Sequence, residues 1–143
     1  MSKANGKRPS LLQLKSIGPK GGRYRKHFLQ LAGLGVRDLC VQGPDLLILA
    51  GPTMSLDGPV KVFRWKGGAD PKGECIVGKK DLDCLLEIPH GPDIGHAEGL
   101  TLFSSNGRSP DSLMVVYDSI PKKRQSDAST VTAYLFPLTN ANK

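Results

Sequence analysis

A segment of this chain occurs twice. Gly35-Val36-Arg37-Asp38-Leu39 opens a run that continues through Asp45-Leu46-Leu47-Ile48-Leu49 to Val60-Lys61-Val62-Phe63-Arg64-Trp65. The second pass opens at Gly95-His96-Ala97-Glu98-Gly99-Leu100 and continues through Asp111-Ser112-Leu113-Met114-Val115 to Val131-Thr132-Ala133-Tyr134-Leu135-Phe136. Three strand-like runs recur in the same order, about 60 to 70 residues apart, with the drift absorbed in polar loops. Such self-similarity marks a repeat architecture, in which one unit cannot bury its own faces and needs a neighbour.

The rest of the chain fits around these two passes. Residues 1–10 read as a disordered basic tail, and residues 140–143 as a second tail. A leading strand pair is expected at Leu11–Lys15 and Tyr24–Leu31, forming a remnant over 11–34. The first unit spans 35–90. It holds strands at Val36–Val41, Leu46–Ala50, Pro59–Trp65 and Leu82–Ile88, with a polar hairpin insert over Gly67–Asp81. The second unit spans 95–138, with strands at Leu100–Phe103, Leu113–Tyr117 and Val131–Leu138. About nine strands and no convincing helix make the chain all-β. Four antiparallel strands per repeat describe a propeller blade. Two blades and a remnant cannot close a ring of the four or more that such a wheel needs, so the architecture is expected to be an incomplete propeller.

With 143 residues the chain has room for one small domain, and Gly 17 and Pro 11 suit many short strands and turns. No apolar run approaches the roughly 20 residues that span a bilayer, and the N-terminus lacks the apolar stretch of a secretory signal. A cytoplasmic location is therefore expected. The net charge of +7 is uneven: through Arg37 there are nine basic residues and no acidic one. A basic arm could serve nucleic acid, but no aromatic stacking platform or nucleic-acid motif accompanies it, so a solvated segment is the favoured reading. Cys40, Cys75 and Cys84 form neither a disulfide framework nor a zinc knuckle. Cys40 reads as a small core residue.

Several motifs, taken together and in order, resemble a bacterial family of propeller-like proteins labelled only as a domain of unknown function. They are Tyr24-Arg25-Lys26-His27-Phe28-Leu29, Gly33–Leu39, Leu47–Met54, Leu56-Asp57-Gly58-Pro59, Phe63-Arg64-Trp65, His96–Leu100 and Val115–Ser119. The resemblance covers roughly residues 11–138. Family members are longer, and this chain is similar to their C-terminal part. The resemblance therefore implies a truncated homologue, a gene fragment, or a chain that assembles with copies of itself. It implies no reaction, substrate or cofactor.

The strongest candidate chemistry lies in Asp93-Ile94-Gly95-His96-Ala97-Glu98. In a strand His96 and Glu98 point to the same face about 7 Å apart, which suits two ligands of one divalent metal, with Asp93 reaching back from the loop. The resemblance places this strand innermost, beside a central channel. The competing reading pairs Glu98 with Arg37, because Arg37 and Asp38 hold the matching place in the first unit. Arg37, Asp38, His96 and Glu98 then form a polar channel cluster, and the ion pair is favoured over the metal. A second candidate is a loop pocket of Thr53, Asp57, Tyr117, Asp118 and Ser119, set against ordinary turn chemistry at strand ends. Phe63 and Trp65 are expected in a buried position between blades.

No catalytic triad or phosphate loop is arguable. The favoured function is a non-enzymatic binding or scaffold module of propeller type, with no resident cofactor. The alternatives are a metal-dependent hydrolase using Asp93, His96 and Glu98, and polyanion binding by the basic N-terminal segment. Open blade faces are expected to drive self-association.

Overall fold

A computed structural model describes residues 13–53, 57–118, 127, 130 and 132–138. Nine strands follow one another in these residues: β1 (His27–Leu29), β2 (Gly35–Gln42), β3 (Asp45–Gly51), β4 (Val60–Trp65), β5 (Cys75–Val77), β6 (Leu82–Ile88), β7 (His96–Phe103), β8 (Ser112–Asp118) and β9 (Tyr134–Pro137). The only helical turn among the described residues is a short 3-10 turn, Pro19–Gly21. The chain is all-β. A four-stranded antiparallel sheet runs β2-β3-β4-β6, a three-stranded antiparallel sheet runs β7-β8-β9, and β1 pairs in parallel with β5.

The two antiparallel sheets are built to one plan. Within the first hairpin Gly35 faces Gly51, Val36 faces Ala50, Asp38 faces Leu49 and Leu39 faces Ile48. Within the second, His96 faces Asp118, Ala97 faces Tyr117, Gly99 faces Val116 and Leu100 faces Val115. β2 maps onto β7 with a constant offset of 61 residues, and β3 onto β8 with 67. The third strands agree as well: Ile48 pairs with Phe63 and Val115 with Tyr134, so β4 maps onto β9 with an offset of 71. Each increment falls in a connection. The first hairpin closes through Gly43-Pro44 alone, with Gly43 at φ 58° and Pro44 fixing the second position, whereas Phe103 and Ser112 are joined by a long polar loop.

Both first strands also carry the same irregularity. β2 slips by one residue between Val36 and Asp38, and β7 between Ala97 and Gly99. The extra residues are Arg37 and Glu98, in equivalent β-bulges.

Packing follows the alternation of the strands. Leu47, Leu49, Val60, Val62 and Ile88 of the first sheet meet Ala97, Leu100, Leu113, Val115 and Tyr117 of the second in one buried core. The opposite face of the first sheet forms a second core from Ile48, Ala50, Phe63, Trp65 and Leu82, covered by Leu31 and Val77. β3 is thus buried on both faces, which accounts for the unbroken run Leu46-Leu47-Ile48-Leu49-Ala50. Phe63 and Trp65 are buried, as expected, and face the lead segment and β5 rather than the second sheet. The Trp65 ring lies 5.2 Å from the His27 ring. Gly68 is required beside it, since a Cβ there would fall 2.6 Å from Trp65 Cδ2.

Three further expectations change. No strand forms at residues 13–15, while Leu11 and Leu12 lie outside the described residues. β1 is confined to three residues, and its partner is β5, inside the stretch expected to be a polar hairpin. Three residues of parallel ladder are held there by longer-range anchors: Arg25 donates to the Ile17 and Pro71 carbonyls, and the Lys26 amide donates to Glu74 Oε1. β7 begins at His96, four residues before the expected Leu100.

Candidate functional site

The two bulges bring the start of β2 against the start of β7. A bulge re-aims its extra residue, and here it turns Arg37 and Glu98 toward each other. Arg37 Nη1 forms an ion pair with Glu98 Oε1, and Arg37 Nη2 donates to the Pro52 carbonyl at 2.7 Å. Arg37 Nε is buried without a hydrogen-bond partner among the described residues. The guanidinium lies along Gly51, where a Cβ would come within 2.5 Å of Nε. Glycine at 51 therefore gives the arginine its path across the sheet edge.

Asp38 makes the second link. Its Oδ2 accepts the Leu100 amide at 2.7 Å, across the two sheets, and its Oδ1 accepts its own neighbour's amide, Leu39, at 2.8 Å. Leu100 lies two residues past the extra residue of the bulge, on the edge strand of its sheet, and Asp38 supplies its amide with an acceptor from outside that sheet. Gly99 occupies the place of Asp38 in the second unit, and a Cβ there would meet Val116 Cγ2 at 2.5 Å. A third link runs from the Tyr117 hydroxyl to the Pro89 carbonyl, 2.9 Å away.

Around these links lie two shallow depressions. One is lined by Arg37, Pro52, Asp57, His90 and His96 among others, the other by Arg37, Pro52, Thr53 and Glu98 with the start of β2. Of the four residues expected to cluster, Arg37, Asp38 and Glu98 lie together where the two units meet, with His96 on the flank.

The loop pocket is not assembled as one group. Thr53 and Asp57 line separate depressions, and Tyr117 is buried in the inter-sheet core with its ring 5.4 Å from Tyr134. Asp118 stands 3.7 Å from His96 Nδ1. Ser119 lies outside the described residues, as do Met54, Ser55 and Leu56 of the same pocket loop and the basic run Lys122-Lys123-Arg124.

The metal triad differs from its expected geometry for a stated reason. Facing of His96 and Glu98 assumes a regular strand, and the bulge at Glu98 breaks that alternation. Glu98 turns to Arg37 and His96 to Asp118, while Asp93 is exposed in the turn before β7. Among the described residues no three His, Cys, Asp or Glu side chains are grouped as metal ligands. No helix among them is long and apolar enough to cross a membrane. Reasoning from sequence overlooked Pro52, Gly51 and His90 as parts of this region. Gly99 inside a strand was the available signal for a bulge or close backbone approach.

The fold and the site together define a class: an all-β protein of two repeated antiparallel units, locked edge to edge by an arginine–glutamate pair and an aspartate–amide bond. The chain belongs to the family described as protein of unknown function DUF3616, whose profile matches residues 2–134. Comparison with curated proteins and with solved structures gives no match.

Proposed function

We propose that this protein is a non-enzymatic binding or scaffold module of propeller type, present here as two blade-like units of an incomplete wheel. One observation carries the reading: the charged residues where the first strands converge are spent on joining the units. Arg37 is matched by Glu98 at the equivalent bulge, and Asp38 by the Leu100 amide. A hydrolase would need these groups directed at a substrate or ion, with a base in reach of a nucleophile. Ligand contact belongs instead to the flanking depressions, where Asp57, His90, His96 and Thr53 are presented.

The test is a metal and turnover measurement on the purified chain. After equilibration with calcium, manganese or zinc and desalting, elemental analysis is expected to show no stoichiometric metal. Aryl-ester and phosphoester hydrolysis is expected to stay at the buffer rate. One equivalent of metal that is lost in His96→Ala, together with metal-dependent ester cleavage, would establish the hydrolase reading in its place.

A further inference from the structure

β1 and β5 set a histidine against a cysteine at the mouth of a crevice. In their parallel ladder His27 pairs with Cys75 and Leu29 with Val77. Alternation turns these four side chains to one side, and Phe28 and Ile76 to the other. Leu29 and Val77 close against the second core, where Val77 is 2% exposed. Two residues earlier on each strand the same face runs out of cover. Cys75 is exposed there and His27 half-buried. His27 Nδ1 lies 3.4 Å from Cys75 Sγ, within hydrogen-bonding reach for sulfur. The imidazole rests against the Trp65 ring, with centroids 5.2 Å apart. Trp65 is itself buried beside Gly68, so the group that positions the imidazole is fixed in turn.

The thiol also has room for a reaction partner. Cys75 lines two open depressions, one beside Trp65, Lys66 and Lys72, the other beside Lys26, Phe28 and Ile76. Every residue that bounds them lies in the unbroken described stretches 13–53 and 57–118. The other two thiols lack this arrangement. Cys40 is half-buried, with its Sγ 3.9 Å from the Val41 carbonyl. Cys84 is exposed on β6, with Lys61 rather than a histidine as its charged neighbour. A nucleophile with a base in hydrogen-bond reach, the base being held by a third group, is the arrangement that activates a thiol. Exchange with a disulfide asks only for such a thiol and open space, whereas acyl transfer also requires donors placed for an oxyanion.

We propose that Cys75 is a modification site, at which His27 promotes mixed-disulfide formation with a low-molecular-weight disulfide. The Cys75 thiol passes its proton to His27 Nδ1. The thiolate sulfur attacks one sulfur of the small disulfide, so that a new S–S bond forms as the old one breaks. The departing thiolate takes the proton from His27 and leaves as a thiol. Cys75 is thereby oxidised to the disulfide level, and the small disulfide is reduced to one free thiol and one half bound to the protein. The adduct then occupies the crevice mouth beside Trp65. It acts on the pair of strands held by three residue pairs and by the anchors at Arg25 and Lys26. The reaction is stoichiometric, so it goes beyond the binding or scaffold reading without contradicting it.

The site lies away from the junction of the two units, so failure of this inference leaves the metal and turnover test untouched. In the experiment the full chain, reduced and desalted, is mixed with oxidised glutathione at neutral pH. The rate at each cysteine is followed by acid quenching, digestion and mass spectrometry. Cys75 is expected to react about tenfold or more faster than Cys84, because an ordinary thiol is only a few per cent thiolate under these conditions. His27→Gln is expected to bring Cys75 to within about threefold of Cys84, while Cys84 keeps its own rate. In denaturing urea the Cys75 and Cys84 rates of the wild-type chain are expected to converge. In Cys84→Ser, modification of Cys75 is expected to shift the Trp65 fluorescence. Circular dichroism checks folding of His27→Gln, and if that variant does not fold, the two wild-type rates in native and denatured protein decide the matter. Equal native rates at Cys75 and Cys84, an excess at Cys75 that persists in urea, or a folded His27→Gln that leaves the Cys75 rate unchanged would each overturn the proposal.

Discussion

Replacing Asp38 with alanine should loosen the two sheets from each other. In the native chain its carboxylate accepts the Leu100 amide at 2.7 Å and the Leu39 amide at 2.8 Å. Leu39 is exposed, so water replaces that bond at little cost. Leu100 is buried, and its amide would lose its acceptor inside the inter-sheet core. A hydrogen bond to a charged group contributes about 1.5–3 kcal/mol, and a buried donor left unmet costs a similar amount. Asp38 is half-buried, which places the expected loss near 2 kcal/mol. For a domain of this size that is a fall in Tm of roughly 6–10 °C. The assay is urea unfolding of wild type, Asp38→Ala and Asp38→Asn, with hydrogen exchange read at the Leu100 amide. Asparagine keeps one acceptor oxygen and should recover about half of the loss. A change within about 0.5 kcal/mol for alanine, with unaltered protection at Leu100, would refute the reasoning.

The Arg37–Glu98 pair has one exposed partner, so Glu98→Gln should cost no more than about 1 kcal/mol and the difference should shrink in high salt; a salt-independent loss in urea melts would contradict this. Leu113→Ala removes a fully buried side chain from the inter-sheet core and should cost about 2–5 kcal/mol by the same melts, against little change for Leu14→Ala, which is exposed. Gly68→Ala should destabilise by about 1–3 kcal/mol because the added methyl meets the Trp65 ring, and Trp65 fluorescence should shift with it. Hydrogen bonds from Arg64, then from Lys66, hold the Asp83 carboxyl below its ordinary value. A depressed carboxyl stabilises above its unfolded pKa and loses that contribution as pH falls through the folded one. Asp83→Asn should therefore flatten the acid side of the stability curve below about pH 4 and leave a small deficit at neutral pH; an unchanged acid limb would count against the bond.

Much of this fold was legible because the strands repeat in order. The run around Leu46–Ala50 and its counterpart around Leu113–Tyr117 are long, apolar and bounded by turn residues, and both became central strands. The match of Arg37 to Glu98 was legible for the same reason: equivalent positions in stacked units meet. The facing of His96 and Glu98 was not, because alternation holds only in a regular ladder and a bulge shifts every later side chain. β5 was hidden for another reason. Three residues, Cys75-Ile76-Val77, sit in a stretch rich in Gly and Lys, and their pairing is supported by distant anchors at Arg25 and Lys26. Tyr117 reads as a polar residue at a strand end, yet the parity of β8 puts its ring in the core and only its hydroxyl reaches a carbonyl. Local residue type suggested a pocket, and strand parity decided otherwise.

The stacking of two equivalent units through a shared core underlies every statement above. Methyl-resolved NOE spectroscopy on selectively labelled protein tests it most directly. Strong cross-peaks are expected between the Leu49, Val62 and Ile88 methyls and those of Leu100, Leu113 and Val115. Peaks confined within each sheet, with none joining these two sets, would contradict the account.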